Sequence, residues 1–221
     1  MRNGNITDHE AKDVVGAGVD EALPAARPST GARRNPASAD AIRQAAADIL
    51  AEDGYARFSI EAVARRARAG KPTIYRWWPS KAALLLDVYH RQKQGVVNPD
   101  TGDLVEDLTA FLDSLFRHWR DTPTGPVFRS VIAEAQSEDS AAEALRSYME
   151  GRFSHSAKMI ERARERGEVA AHVDPRLAIE LVVGFAYIRL LTGRLDMETA
   201  AVRAAVCLFV DGWRAAPAAR P

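Results

Sequence analysis

Cysteine is nearly absent from this chain. Cys207 is the only one in 221 residues, so neither an internal disulfide nor a cysteine-based zinc site can form, and a reducing compartment suits such a sequence. Long apolar runs are missing too. The longest lies near Ala178–Leu191, where Glu180 and Arg189 interrupt it, short of the roughly 20 residues a membrane span requires. Asp8, Glu10 and Asp13 break the first residues, and no apolar stretch follows them, which is unlike a secretory leader. The expectation is a soluble, cytoplasmic protein with no membrane partner. No segment alternates apolar and polar residues as a strand would, and neither an internal repeat nor a heptad run is present. The five histidines show no metal-ligand spacing such as HExxH. No phosphate loop and no nucleophile–base pairing stands out. These absences lead us to expect no metal, no cofactor and no enzymatic activity.

What remains is an all-α pattern with one unusual stretch, Ser59–Lys81: SIEAVARRARAGKPTIYRWWPSK. Net charge is zero over the whole chain, yet this stretch holds Arg65, Arg66, Arg68, Lys71, Arg76 and Lys81 against Glu61 alone. Cations gathered on a neutral molecule are the footprint of a phosphate-binding face. Arginine outnumbers lysine 25 to 5, so a lone arginine says little, but two of the five lysines bracket the second half of this stretch.

Local patterning divides the stretch into two short helices. Ser59 is placed to cap the first by accepting a bond from a free backbone N–H. Ile60, Val63, Ala64 and Ala67 form its apolar face. Arg68-Ala69-Gly70 is the break, with Gly70 expected to take the unusual backbone conformation. Lys71-Pro72 restarts a helix, since proline is tolerated in a first turn. That helix carries Thr73 to Trp78 and stops at Pro79. Two helices joined by three residues make a helix-turn-helix, whose second helix enters the DNA major groove.

Residues 38–86 resemble the DNA-binding domain of the tetracycline-repressor (TetR/AcrR) family of bacterial regulators. The specific part is KPTIYRWWPSKAALL, residues 71–85, which is similar to the family's recognition helix and the start of its next helix. The family usually has glycine at the first turn position, where this chain has Arg68. The resemblance and the helix geometry together assign roles. Ile74 and Trp78, four apart, share a buried face. Lys71, Pro72, Thr73, Tyr75, Arg76 and Trp77 are left for the outer face or its flanks. Lys71 would donate to guanine, and Pro72 and the Thr73 methyl would touch a thymine methyl. Tyr75, Arg76, Lys81 and the Ser59 hydroxyl would bind phosphates, which fix register. Trp77 has two readings: an indole N–H donated to a phosphate, or packing against Trp78.

The remainder divides into further helices. Residues 1–37 read as a disordered tail, rich in Ala, Pro, Gly, Ser and charge, with a weak helical pattern at Asp8–Val19. Its Arg33 and Arg34 would form either a minor-groove arm or a plain linker. Ser38 is expected to cap a first helix running to Glu52, with Phe58 plugging the core behind it. Ser80 caps a fourth helix reaching about Gln94, the lever from residues 38–86 into residues 87–221. Asp103 opens a fifth helix, with Glu106 at capping-box spacing. DTPTGP, residues 121–126, ends it; a sixth follows, and a seventh spans about Ser140–Arg166. Asp174-Pro175 opens an eighth, and Asp196 is expected to cap a ninth. PAARP, residues 217–221, reads as a frayed end.

The eighth helix is apolar nearly all round, so more than one side must be covered, and a second copy of the chain is the natural second cover. Leu181, Phe185, Ile188, Val206, Phe209, Val210 and Trp213 are the expected homodimer interface, half of a four-helix contact. The resemblance implies the same location. It also implies a C-terminal ligand-binding domain whose small molecule changes the separation of two DNA-reading heads on a palindromic, double-stranded operator. Phe111, Trp119, Phe128, Tyr148, Phe153 and Phe185 are candidates to line that pocket, though filling the core is the readier use for each. His118 and His155 would orient a polar ligand or sit satisfied elsewhere. The fold expected is therefore all-α, about nine helices, with a three-helix DNA-binding domain ahead of a helical ligand-binding and dimerisation domain. The function expected is a repressor released by a small, hydrophobic inducer. A ligand-independent regulator or an activator stands as the alternative, and a helical enzyme behind both.

Overall fold

The computed structural model describes residues 36–92 and 96–214, and among them every regular element is helical. The N-terminal tail with Arg33 and Arg34, the helix at Asp8–Val19, the fourth helix's end at Gln94 and the final PAARP lie outside the described residues.

Helix α1 spans Pro36–Asp53, so Ser38 lies inside it and is not its cap. Its buried stripe is Ile42, Ala45, Ala46, Ile49 and Leu50, the helical spacing expected. A single 3-10 turn, Tyr55–Arg57, leads to Phe58, which is buried. Helix α2 (Ile60–Ala67) and helix α3 (Lys71–Trp77) follow, and α1 packs on α2. Helix α3 is one residue shorter than expected: Trp78 is extended at its C-terminus, although its side chain is buried beside Ile74. Helix α4 (Lys81–Gln92) begins with the Ser80 hydroxyl accepting the Ala83 N–H at 3.1 Å. It packs on α1 on one side, and on helices α6 (Thr124–Glu134) and α7 (Asp139–Glu165) on the other.

Helix α5 spans Leu104–Asp121, and the Asp103 carboxylate accepts from Glu106 N–H at 2.9 Å, as the capping-box spacing predicted. The DTPTGP stretch ends α5, but α6 starts within it, at Thr124. The reversal is tight. A Cβ on Gly125 would sit 2.2 Å from the Trp119 carbonyl oxygen, so only glycine fits where α6 crosses the end of α5. His118 is held in the same corner, its Nε2 at 2.9 Å from the Thr124 hydroxyl; it is the satisfied histidine of the two readings. His155 is exposed.

Asp174 caps helix α8 (Pro175–Leu191) by accepting the Arg176 N–H. Helix α9 spans Thr199–Trp213 and starts after Glu198. Asp196 is not its cap; it lies 3.6 Å from Arg120 instead. Helix α9 packs mainly on α5, and α8 on α7. Two apolar faces of α8 therefore differ in fate. Ile179, Val182, Val183, Ala186 and Leu190 are buried in the protomer, while Leu177, Leu181, Ile188 and Leu191 stand exposed.

Candidate nucleic-acid interface and internal cavity

The Ser59 hydroxyl accepts the Ala62 N–H at 3.1 Å, which fixes the start of α2. The turn is built differently from the expectation. Gly70 is ordinary extended backbone (φ −72°, ψ 141°), and the left-handed residue is Arg68 (φ 50°, ψ 41°). Ala69 N–H bonds Ala64 C=O at 3.0 Å and Arg68 N–H bonds Arg65 C=O at 3.4 Å, the paired pattern that closes a helix through a left-handed residue. The same motif ends α7, where the left-handed residue is Gly167. Arg68 is the only non-glycine with positive φ among the described residues. An L-residue there costs roughly 1–2 kcal/mol, which the turn carries ahead of α3.

Helix α3 then presents Lys71, Pro72, Tyr75 and Arg76 to solvent, with Thr73 and Trp77 half-buried and Ile74 inward. The Trp77 ring packs edge-on against Trp78, with centroids 5.5 Å apart, and its indole N–H is covered with no acceptor among the described residues. Packing is therefore the geometry found for Trp77. The end of α3 is anchored from behind. Asp87 on α4 accepts from the Trp78 indole at 2.8 Å and from Arg43 of α1 at 2.7 Å, and the Arg43 guanidinium lies over the Trp78 ring.

The six cations of this stretch separate into two sets. Arg66 turns back onto Glu52 and Asp48, and Lys71 lies 3.0 Å from Glu61. Lys71 holds the Glu61 carboxyl below its usual range through that bond. Lys81, expected at a phosphate, lies 3.3 Å from Glu134 of α6 and over the Tyr55 ring. The Tyr55 hydroxyl donates to the same Glu134 carboxylate. Burial and that anion push the Tyr55 hydroxyl well above the ordinary range for a phenol. Arg65, Arg68 and Arg76 are exposed and have no carboxylate partner among the described residues. Arg65 and Arg68 were counted in the charge of the stretch but not among its site residues. Their signal was there: both follow the apolar face of α2 into the turn.

A second feature lies between α4, α5, α7 and α8. Tyr89, Phe111, Leu115, Trp119, Tyr148, Arg152, Phe153, Ser156, Val183 and Tyr187 enclose a cavity of about 20 Å³, room for about one water. Of the expected pocket residues, Phe111, Trp119, Tyr148 and Phe153 line it. Phe128 fills the core behind it, stacked on Tyr89 at 4.8 Å. Phe185 is elsewhere, between Phe116 and Phe209. Sequence reasoning missed Tyr89, Arg152 and Tyr187. Arg152 was legible as the fourth residue after Tyr148, on the inward face of α7.

The Trp119 indole donates to the Tyr89 hydroxyl at 2.7 Å, and the Tyr187 hydroxyl to the Met149 sulfur at 2.7 Å. Burial raises the Tyr89 and Tyr187 hydroxyls and pushes Tyr148 up to about 12, while the Arg152 charge opposes that rise in all three. The phenols therefore stay neutral donors at physiological pH. Arg176 lies over the Phe153 ring and is held by Glu150 and Glu180 at 2.6 Å each.

The expected dimer residues divide as well. Val206, Val210 and Trp213 are buried inside the protomer, because α9 turns that stripe onto α5. Leu181 and Ile188 are about half exposed, Phe185 and Phe209 less so, and Leu208, which was not expected, is 79% exposed. Among the described residues, no helix is long and apolar enough to cross a membrane, and no His/Cys/Asp/Glu group could hold a metal.

Comparison with known proteins gives two family matches. Residues 42–88 match the bacterial regulatory proteins of the tetR family, and residues 98–208 match the tetracyclin repressor-like C-terminal domain. The HTH-type transcriptional regulator YdeS of Bacillus subtilis is 29% identical over 85% of this chain and 96% of its own length. The DNA-binding transcriptional repressor TetR of Mycobacteroides abscessus is 33% identical over 71% of this chain and 84% of its own. The crystal structure of the TetR family regulator SCO0332 superposes with a TM-score of 0.70 at 33% identity, covering 81% of this chain and 99% of that one.

Proposed function

This chain belongs to the TetR family of DNA-binding transcriptional regulators and not to a family of enzymes, and from that premise we propose that it is a cytoplasmic homodimeric repressor, released from a palindromic operator by a small molecule. In this reading residues 38–86 are the reading head and residues 87–221 bind the ligand and the second copy. The repressor role is supported by the relative from Mycobacteroides abscessus, whose name states it. Lys71 and Pro72 at the start of α3 meet base edges, and the Thr73 methyl lies beside them. Tyr75, Arg76, Arg65 and Arg68 meet phosphates. Phosphate contacts position the helix, and base contacts specify the sequence.

A single observation carries the coupling. Tyr89 is a wall of the cavity and belongs to α4, the helix whose Asp87 holds the end of α3 through Trp78. A ligand larger than one water must part the cavity walls, and α4 is one of them. Two recognition helices read one duplex only when about 34–36 Å apart, so a displacement of α4 acts directly on that spacing. A ligand that favours the wrong spacing by a few kcal/mol empties the operator. The second copy is supported by the exposed apolar residues Leu177, Leu181, Ile188 and Leu191 of α8 and Leu208 of α9, of the kind that mark an interaction site.

The test is selection of bound DNA from a random pool, followed by a screen for compounds that release it. A two-fold symmetric site bound by a dimer is the expected result. A monomer, or equal grip on every oligonucleotide, overturns the reading. The position of the selected site relative to promoters separates repression from activation.

A further inference from the structure

Among the described residues, four cations lie over aromatic rings and have an oxygen partner of their own. Arg43 has Asp87, Lys81 has Glu134, Arg176 has Glu150 and Glu180, and Arg189 has the Arg194 carbonyl. Arg152 breaks that pattern. It lines the cavity among Tyr89, Tyr148, Phe153 and Tyr187, and its Nε is buried with no acceptor among the described residues. No Asp or Glu lines the cavity with it. Arg162 and Arg189 also bury an Nε that makes no hydrogen bond, but Arg162 is paired with Asp100 at 3.1 Å and donates to Pro99 O, and Arg189 donates to Arg194 O.

A guanidinium nitrogen enclosed by rings and left without an oxygen is costly, and the cost disappears when an anion meets it. Tyrosinate does not serve as that anion, since burial keeps the phenols protonated. The Tyr148 hydroxyl is buried with no partner among the described residues, and the Tyr89 hydroxyl accepts from Trp119 and keeps its own O–H to give; donors beside a cation select an oxyanion. We propose that the molecule this cavity receives carries a negative charge, a carboxylate or similar small oxyanion on an apolar body, with the charge seated on the Arg152 guanidinium and the body between the rings of Trp119, Tyr148 and Tyr187. This rests on the sensor reading above and narrows it to a ligand class.

The test compares acids with their neutral isosteres: benzoate, naphthoate and decanoate, each beside its amide and the corresponding amine. Binding to the full chain is measured by calorimetry. The acids are expected to bind the wild type about ten- to a hundredfold more tightly than the amides, with the amines weakest. Arg152→Gln removes that advantage and leaves amide affinity within about twofold. Arg152→Lys keeps part of it, and the exposed Arg164→Gln keeps all of it. Amides that equal the acids on the wild type overturn the proposal and leave the sensor reading standing. An acid preference that survives Arg152→Gln does the same. If Arg152→Gln does not fold, the wild-type ratio and Arg152→Lys decide. A panel in which nothing binds the wild type overturns the sensor reading, and the proposal with it.

Discussion

The reading head and the body each bury a tryptophan whose indole N–H is satisfied, and they satisfy it differently. In the head the Trp78 N–H meets the Asp87 carboxylate, which also holds Arg43. In the body the Trp119 N–H meets the Tyr89 hydroxyl, which lines the cavity. A charge-assisted bond to a carboxylate held twice is stronger than a bond to a neutral phenol. The first arrangement fixes α3 against α1 and α4. The second leaves a polar network next to open space. Among the described residues, arginines without a carboxylate partner stand exposed at Arg65, Arg68 and Arg76 in the head and at Arg129 and Arg164 in the body, while the half-buried Arg152 lines the cavity. Outward cations suit a polyanion that wraps the surface. An inward one suits a small anion that enters. The head thus fixes its recognition helix through a charged anchor, whereas the body keeps neutral donors beside its cavity.

Removing a ring from the body tests that contrast most severely. Phe128→Ala deletes the ring stacked on Tyr89 and should cost about 3–5 kcal/mol in chemical denaturation; Phe58→Ala should cost the head a similar amount. A loss under about 1 kcal/mol at Phe128 would mean that the body repacks freely. Next comes the exposed face. Ile188→Glu with Leu208→Glu should weaken self-association at least about a hundredfold by sedimentation, because carboxylates would have to be desolvated across the contact. Protomer unfolding should be unchanged, and a dimer that survives places the second copy elsewhere.

Lys71→Ala should remove discrimination at one base pair, about 1–3 kcal/mol in binding to selected and single-mismatch sites. Equal weakening on every site would assign Lys71 to phosphate. Arg68→Gly should stabilise the fold by about 1 kcal/mol by relieving the left-handed residue, while loosening DNA binding and flattening its salt dependence. Lys81→Met is the smallest effect on stability, within about 1 kcal/mol for a part-exposed ion pair. Its consequence should be in ligand response, because Lys81, Tyr55 and Glu134 join the first three helices to α6. Uniform loss of DNA affinity with intact ligand release would return Lys81 to the phosphate contacts.

Much of this was legible in the residues alone. Ser59, Asp103 and Asp174 cap the helices they were expected to cap, because a short oxygen-bearing side chain before an apolar period has one low-energy use. Ile74 and Trp78 are buried as their spacing required. Ser38 and Asp196 look the same locally, but α1 begins before Ser38 and α9 begins after Glu198. At the turn, residue preference pointed to Gly70, yet the left-handed position is set by where α2 ends, and that is Arg68. The Glu134 that pairs with Lys81 comes from α6, more than fifty residues on, so spacing alone could not announce that pair.

Composition, spacing and caps by themselves determined that the chain is helical, where most helices start and stop, and which faces are apolar. These follow from hydrogen bonds and periodicities that act over a few residues. They could not decide which apolar face of α8 or α9 meets its own chain and which is left bare. Val206 and Leu208 are two residues apart in α9; one is fully buried and the other 79% exposed because α5 lies on only one side. Nor could they bring Tyr89, Arg152 and Tyr187 around one cavity, since those residues are far apart in the chain and meet only through packing. Long-range burial selects among faces that local patterning leaves equivalent, and in this protein that selection placed the Arg152 Nε beside an aromatic cavity with no acceptor among the described residues.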